Sequence, residues 1–206
     1  MILKPKFSSD IKRGPNIKKL VTVRGISDPL SGKVVIKVGD NISTDHILPG
    51  GANIMALRSN VPAISEYVFH YYDKDFVNRC KSLNGGFIVG GSNYGQGSSR
   101  EHAAIAPMYL GIKAVLAVSF ARIHRSNLIN FGILPIFFES KKEYDKINQG
   151  DYLEIKNVKN YLLNKGDLDI VNKANNKKIF CNVGLKEREK RLILKGGLLN
   201  YVKQAV

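Results

Sequence analysis

The sequence has little cysteine and lacks any long hydrophobic run, and these shortages exclude several classes of protein. Two cysteines in 206 residues, Cys80 and Cys181, are too few for a disulfide framework or a four-cysteine zinc site, and cannot alone hold an iron–sulfur cluster. No apolar stretch approaches the ~20 residues that span a bilayer. The opening MILKPK does not continue into the apolar segment of a secretory signal. We therefore expect a soluble, cytoplasmic chain without a metal ligand set of its own.

Acidic residues are also scarce, at 17 against 32 Lys and Arg, which gives a net charge of +15. The basic excess lies on the flanks: residues 1–38 carry nine basic against two acidic residues and residues 141–206 carry 15 against eight, whereas residues 39–140 are nearly balanced. Lysines adjoin asparagines, as in residues 173–178. This distribution favours a solvated surface; a polyanion-binding face or a docking surface for an acidic partner are the alternatives.

A hydrophobic content of 44% is enough for one compact core. Its pattern predicts an α/β fold, because strands alternate with helices as in parallel βαβ units. The predicted strands are 33–38, 86–90, 113–118 and 133–138, and the predicted helices are 63–71, 75–83, 100–110 and 121–131. A β-rich flank follows, with strands 151–156, 167–171 and 177–182 and a helix over 186–194. We expect a central parallel or mixed sheet in one domain, 33–206, preceded by an irregular, linker-like arm, 1–32, in which only 19–24 is extended.

A glycine-rich segment, residues 90–102, follows one predicted strand and opens a helix. Such segments bring backbone N–H groups close to an anion. It has neither the lysine of a P-loop nor the third glycine of a dinucleotide fingerprint. Two hydroxyls and a guanidinium remain as candidate ligands, Ser98, Ser99 and Arg100. The alternative is structural, since the run from Ser98 to Glu101 also matches a capping box with Ser98 as N-cap.

Three further features are ambiguous on their own. Asp45 and His46, in the polar loop that follows the first strand, suit either a metal site or an Asx-type turn. Arg58 is either a binding residue or an ordinary surface arginine. The spacing of the helix over 121–131 places Ile123, Leu128 and Phe131 in the core and leaves Arg122 and His124 unassigned.

Taken in order, three segments resemble the C-terminal swivel domain of the aconitase family: DNISTDHI (40–47), GGSNYGQGSSREHAA (90–104) and SFARIHRSNLINFGILP (119–135). The resemblance runs from about Arg13 to Tyr201 and implies a swivelling β/β/α domain. Residues 13–17 look like the segment that joins this domain to the rest of single-chain bacterial aconitases. Small subunits of isopropylmalate isomerases share the SSREH loop, whereas Arg58-Ser59-Asn60 looks more like aconitase.

The resemblance implies an aconitate hydratase-type hydro-lyase of the tricarboxylic acid cycle, which interconverts citrate and isocitrate through cis-aconitate. It implies that Ser98 is the general base and that Arg58 and Arg100 hold substrate carboxylates. Ser99 would add a hydrogen bond. Thr44, Asp45 and His46 would lie in or near the site, with Asp45 orienting an arginine.

The resemblance also implies a 4Fe-4S cluster that is ligated by other aconitase domains or by a large subunit, without which the chain is expected to be inactive. Two alternatives remain at this point. One is the small subunit of an isopropylmalate or homoaconitate isomerase, and the other is an RNA-binding protein without a catalytic role.

Overall fold

The computed structural model describes residues 12–164 and 168–204. Their strands are β1 (Leu30–Lys37), β2 (Gly86–Gly90), β3 (Ile112–Ala117), β4 (Leu134–Phe138), β5 (Tyr152–Lys156), β6 (Asp169–Asn172), β7 (Lys177–Ile179) and β8 (Cys181–Asn182). Their helices are α1 (Thr44–Ile47), α2 (Ala52–Met55), α3 (Val61–Ser65), α4 (Phe76–Leu83), α5 (His102–Tyr109), α6 (Arg122–Asn130), α7 (Lys141–Asp145), α8 (Val158–Asn164), α9 (Glu187–Lys195) and α10 (Leu198–Lys203).

The strands form one mixed sheet in the order β7-β6-β5-β1-β2-β3-β4-β8. The four central strands, β1 to β4, are parallel to one another. The outer strands pair antiparallel with their neighbours: β5 with β1, β6 with β5, β7 with β6, and β8 with β4. The α/β prediction with a βαβ centre and a β-rich flank is therefore confirmed. Residues 1–11 of the predicted arm, Asp167 of a predicted strand and the last two residues lie outside the described part.

Both faces of the central sheet are buried, as expected for parallel strands covered by helices on each side. Alternate residues of β2 enter two different core clusters: Ile88 belongs to one, and Phe87 and Val89 belong to the other. The first cluster packs against α3, α4 and α5, and the second includes residues of the β-rich flank and α9. The β-branched runs that predicted the strands thus supply both cores.

The predicted helix over 63–71 ends early, at Ser65. Phe69 adopts a left-handed backbone, with a φ of 56°, and its N–H donates to Ile47 O at 2.8 Å. As a result Phe69 is fully buried, whereas Tyr71, the last residue of the predicted helix, is 79% exposed. A contact with the last residue of α1 overrides the local helical pattern here.

The strand predicted over 177–182 is divided at Phe180. Its first half, β7, pairs with β6, and its second half, β8, pairs with β4 at the opposite end of the sheet. The backbone of Phe180 bonds to residues that follow β4. Its N–H donates to Glu143 Oε2 at 2.9 Å, and its carbonyl accepts from Glu139 N–H at 3.1 Å. The sheet is therefore curled until its two outermost strands are separated by one residue of the chain.

Residues 19–24, predicted as extended, form no strand. The arm is nevertheless attached to the body, since Val23 O accepts from Asn200 Nδ2 at 2.6 Å and Ile26 is buried in the second core cluster. The sequence pattern missed five short helices, α1, α2, α7, α8 and α10. In the described ranges, every helix is too short or too polar to cross a membrane.

Candidate active site

Three loops meet at the carboxyl ends of β1, β2 and β3, the edge at which parallel sheets commonly bind ligands. Their residues are 38–43, 91–101 and 118–121. Isolated bridges join Ser43 to Gln96, between the first and second loops, and Tyr94 to Phe120, between the second and third. The topology of the sheet thus brings together the three segments that carried the sequence resemblance.

Polar side chains fasten the first loop to the second. Asp40 Oδ1 accepts from Ser92 N–H at 2.7 Å, and this bond is the main cause of the lowered pKa of Asp40. Asn93 Nδ2 donates to Asn41 Oδ1 at 3.0 Å and to Gln96 Oε1 at 2.8 Å, and Gln96 Nε2 donates to Asn41 O at 3.0 Å. We call the residues that these bonds join, 40–41 and 92–96, the platform of the site.

Ser98 lies in the turn that leads from this platform into α5. The capping-box interpretation is wrong, because α5 begins at His102 and its N-cap is Glu101, without a side-chain cap bond. Thr44 Oγ1 instead donates to the carbonyl of Ser98 at 3.1 Å. Among the described residues, the Ser98 hydroxyl has no hydrogen-bond partner, and the side chain is exposed. Its hydroxyl is therefore available to a ligand.

Ser98 lines a cavity of about 200 Å³ that we call the Ser98 pocket. Its polar lining comes from α1, the turn before α5, and α6, and includes Thr44, Ser98, Ser99, Arg100, Arg122 and His124. Two arginines and three hydroxyls around one cavity favour an anionic ligand, because guanidinium groups and hydroxyls are the common donors to carboxylates.

Arg100 lies between the Ser98 pocket and a second cavity of about 410 Å³, which we call the Tyr72 pocket. Its Nη1 forms an ion pair with Asp45 Oδ1 and approaches Leu48 O at 3.5 Å. A Cβ on Gly50 would lie 2.6 Å from the guanidinium, so the missing side chain there makes room for Arg100. The hydrogen bond from Arg100 is the main cause of the lowered pKa of Asp45. Asp45 thus contacts the arginine that the family resemblance assigns to a substrate carboxylate; its role in orienting Arg100 stays a prediction.

The ion pair predicts a pH effect on stability that Asp45→Asn should reduce. Because the pKa of Asp45 is lower in the folded chain, its stabilising contribution is complete above the unfolded value of about 4 and is lost as pH falls through the folded value. Urea midpoints measured from pH 6 to pH 3 should therefore fall less steeply in Asp45→Asn than in the wild type. Asp75→Asn, at an exposed position before α4, is the matched control. An equal fall of the urea midpoint between pH 6 and pH 3 in the wild type and in Asp45→Asn would contradict the prediction.

The polar segment around His46 forms a capped helix, α1. Ser43 Oγ accepts from His46 N–H at 3.1 Å, and Ser43 N–H donates to His46 Nδ1 at 3.2 Å. The His46 ring lies 6.1 Å from that of Tyr72, in the wall of the Tyr72 pocket. In the part of the chain that the structure describes, no group of three or more His, Cys, Asp or Glu side chains is placed to hold a metal. The loop serves as helix cap and pocket wall.

Arg58 lies apart from Ser98 and Arg100. It lines a third cavity with residues of the arm, including Asn16 and Ile17. Its carbonyl contacts His102 Nε2 at 2.9 Å, which ties this turn to the first residue of α5. The structure therefore brings Ser98, Ser99, Arg100, Thr44, Asp45 and His46 together around two adjoining pockets, and it places the Arg58 side chain outside both. A role for Arg58 in binding a carboxylate stays a prediction.

The lysine-rich turn 173–178 connects β6 to β7, in the flank of the sheet. Lys173 contacts Glu154 at 3.1 Å, and Lys178 contacts Asp169 at 2.8 Å. These carboxylates offset part of the local positive charge. A nucleic-acid-binding role for this turn stays a prediction.

Residues 39–141, which include all of the three loops except Val38, match the model of the aconitase C-terminal domain. A 3-isopropylmalate dehydratase small subunit (small subunit 2) of Archaeoglobus fulgidus is 41% identical over 168 residues, which are 82% of this chain and 92% of that protein. The chain belongs to the aconitase C-terminal domain family. The family resemblance in the sequence is thus confirmed.

Two further proteins are similar to the chain. The methanogen homoaconitase small subunit of Methanocaldococcus jannaschii is 41% identical over 169 residues, 82% of this chain and 88% of that protein. The crystal structure of 3-isopropylmalate dehydratase from the same organism has 38% identity and a TM-score of 0.70, and it covers 85% of this chain and 93% of that one. These relatives are named for isopropylmalate and homoaconitate rather than for citrate.

The two thiols of this family member do not fit an iron–sulfur cluster. Cys80 and Cys181 are buried in different core clusters. Burial raises the pKa of Cys80 to about 12 and raises that of Cys181 well above its ordinary value, so both are protonated at neutral pH. Because cluster iron is bound by thiolates, neither cysteine is placed to ligate one.

Helix α6 contributes a residue that sequence reasoning left unassigned. Ile123, predicted in the core, is 47% exposed, whereas His124 is 2% exposed. Leu128 is buried as predicted and Phe131 is partly buried. His124 and Leu128 are four residues apart and share the inner face of the helix. That spacing was a usable signal, but it carried no indication that an imidazole would occupy a core position beside Ser98.

Proposed function

We propose that this chain is the small-subunit component of an aconitase-family hydro-lyase, which isomerises a hydroxy-polycarboxylate by dehydration and rehydration. The proposal is supported by the exposed, unpartnered hydroxyl of Ser98, which lies two residues before Arg100 in a cavity lined by cationic and hydroxyl side chains. A base and a carboxylate-binding group at this spacing suit removal of a proton from the carbon next to a carboxylate.

Ser98 acts as the base in its alkoxide form. A serine hydroxyl is a weak base at neutral pH, so its anion needs stabilisation. The turn lies directly before α5, whose N-terminal dipole favours negative charge, and Arg100 adds a full positive charge nearby. Thr44, by holding the carbonyl of Ser98 at 3.1 Å, fixes the turn in place. The negative charge that Ser98 carries is thus supported from two directions.

Arg100 holds a substrate carboxylate. Its guanidinium has five donors in one plane, and Asp45 occupies one edge of that plane, which leaves the remaining donors for a ligand. The exposed Ser99 hydroxyl supplies a further donor in the Ser98 pocket, and His46 lies in the wall of the adjoining pocket. Because the bidentate geometry requires the planar fork, lysine at position 100 would not be a conservative replacement.

The 4Fe-4S cluster associated with the family is supplied by a large subunit or by other aconitase domains. Neither cysteine of this chain is placed to ligate it, so this chain contributes the base and carboxylate-binding groups, and the partner contributes the cluster. The chain alone is therefore inactive.

The relatives favour an isopropylmalate or homoaconitate substrate over citrate, and one observation favours the tricarboxylates among these. The exposed Arg58 guanidinium has no ion-pair partner within the described ranges, and its backbone is tied to α5 through His102 at 2.9 Å. Homoaconitate and cis-aconitate carry a third carboxylate, whereas isopropylmalate carries an apolar isopropyl group there. An exposed, unpaired arginine on a turn that is tied to the first residue of α5 suits a third carboxylate, although its side chain lies outside both pockets in the free chain. Citrate and isocitrate therefore stay as the second candidate substrates.

The test is a reconstitution with cluster-loaded large subunits of relatives, one specific for each substrate class. Hydration of isopropylmaleate, homoaconitate and cis-aconitate is followed in parallel by the loss of their ultraviolet absorbance. We expect turnover only in a mixture, with isopropylmaleate or homoaconitate preferred. Turnover by the chain alone, or stable complexes that hydrate none of the three acids, would contradict the proposal.

Arg58→Gln should discriminate between these substrates. If Arg58 binds the third carboxylate, its loss should raise the KM for the tricarboxylate by about tenfold or more, the usual effect of removing a charged hydrogen bond. The KM for isopropylmaleate should not change, because that acid lacks the third carboxylate. Arg188→Gln, at an exposed position on α9, is the matched control and should change neither KM. Equal effects of Arg58→Gln on both substrates would contradict this role.

A further inference from the structure

His124 is a buried polar side chain without a hydrogen bond. It is 2% exposed, and within the described part of the chain neither Nδ1 nor Nε2 has a partner. Its ring packs against that of Tyr94, at a centroid distance of 5.4 Å. Buried donors and acceptors without partners destabilise a fold and are few in native proteins, so each one requires a physical explanation.

The imidazole lies directly beneath the turn that leads to Ser98. A Cβ on Gly95 would be 2.2 Å from Cγ and Cδ2 of the His124 ring, so the backbone of the turn rests on the ring itself. His124 is also one of the residues that line the Ser98 pocket. The unpartnered side chain and the exposed hydroxyl therefore adjoin the same cavity.

Packing alone does not explain an imidazole at this position. A phenyl ring would fill similar space against Tyr94 and Gly95 without burying two unsatisfied nitrogens. Burial also lowers the pKa of His124 to about 4, so at neutral pH the ring is uncharged and offers one donor and one acceptor. These are the properties of a hydrogen-bonding group whose partner arrives with the ligand.

We propose that His124 is a positioning residue for Ser98: its uncharged imidazole forms a hydrogen bond within the Ser98 pocket when substrate is bound, and this bond holds the turn that carries the base. The inference rests on the proposed function of Ser98. We therefore expect the polar atoms of His124 to lower the stability of the free chain and to raise kcat of the assembled enzyme.

The test compares His124→Phe, His124→Asn and His124→Gln. In the free chain, Tm should be unchanged or higher in His124→Phe, because that variant removes unsatisfied polar atoms. In the reconstituted enzyme, kcat of His124→Phe should fall by about tenfold, the effect of one lost hydrogen bond, with KM within about twofold of the wild type. A side-chain amide at position 124 should restore part of kcat. His124→Asn should do so if Nδ1 makes the hydrogen bond, and His124→Gln should do so if Nε2 makes it. His70→Phe, which lies outside both pockets, should change neither quantity.

Each outcome decides the inference. Full activity of His124→Phe would overturn it and reduce His124 to a packing residue, while an active wild type would leave the proposed function intact. A lower Tm in His124→Phe would also overturn it, since the ring would then have its partner in the free chain. An inactive wild-type assembly would overturn the proposed function, and the inference with it.

Discussion

Ser98→Ala is expected to abolish turnover by the reconstituted enzyme while leaving the chain folded. The substitution removes the proposed base, and proton transfer by a positioned side chain contributes up to about 10⁴-fold. We expect kcat to fall at least about a thousandfold, with KM little changed because Arg100 still holds the carboxylate. Since the Ser98 hydroxyl makes no hydrogen bond within the described chain, stability should change by less than about 0.5 kcal/mol.

Ser99→Ala is the matched control for this prediction. The neighbouring hydroxyl is equally exposed and lines the same pocket, but its role is to donate one hydrogen bond rather than to remove a proton. Its loss should therefore cost about tenfold in kcat/KM. Steady-state kinetics with the preferred unsaturated acid separate the two variants. If Ser98→Ala kept a tenth or more of the wild-type kcat, another group would have to be the base.

Gly95→Ala is expected to destabilise the fold strongly. Gly95 has a φ of 83°, a conformation that disfavours a side chain. The added Cβ would also lie 2.2 Å from the His124 ring, which is buried and cannot swing away as a flexible side chain would. Backbone strain and overpacking together should lower the free energy of unfolding by about 3 kcal/mol or more.

Urea unfolding of Gly95→Ala beside Gly39→Ala measures this effect. A Cβ on Gly39 would have no neighbour within 4 Å, so the control should stay within about 0.5 kcal/mol of the wild type. The double variant Gly95→Ala/His124→Ala should recover part of the loss, because the smaller side chain removes the clash but not the strain. Equal midpoints for the two alanine variants would show that the turn does not rest on His124.

The centre of the fold could be predicted because its signals are local. The apolar run of β2 is bounded by glycines, and its prediction over 86–90 is confirmed residue for residue. The helix over 63–71 could not be predicted to its end, because Phe69 N–H bonds to Ile47 O at 2.8 Å, a contact across 22 positions of the chain. The division at Phe180 likewise depends on Glu139 and Glu143, which only the folded chain brings near.

The candidate site shows the same division between local and tertiary information. The residues themselves single out the segments that carry Ser98, Arg100 and Asp45, and the parallel strands bring those segments to one edge. The capping-box spacing misplaced the start of α5, since the turn before it is held by Thr44, the first residue of α1. His124 escaped assignment because a histidine's burial, and its lack of a partner, are properties of its surroundings.

The curled sheet has a mechanical consequence at Phe180. β7 cannot peel away from β6 without pulling, through that one residue, on β8 and its pairing with β4. The two outermost strands are thereby clasped, and their amide hydrogens should exchange with solvent in a single joint opening rather than by independent fraying. The connection through Phe180 thus couples the two ends of the sheet. Opening of the β7–β6 pair or of the β8–β4 pair should therefore weaken the other pair as well.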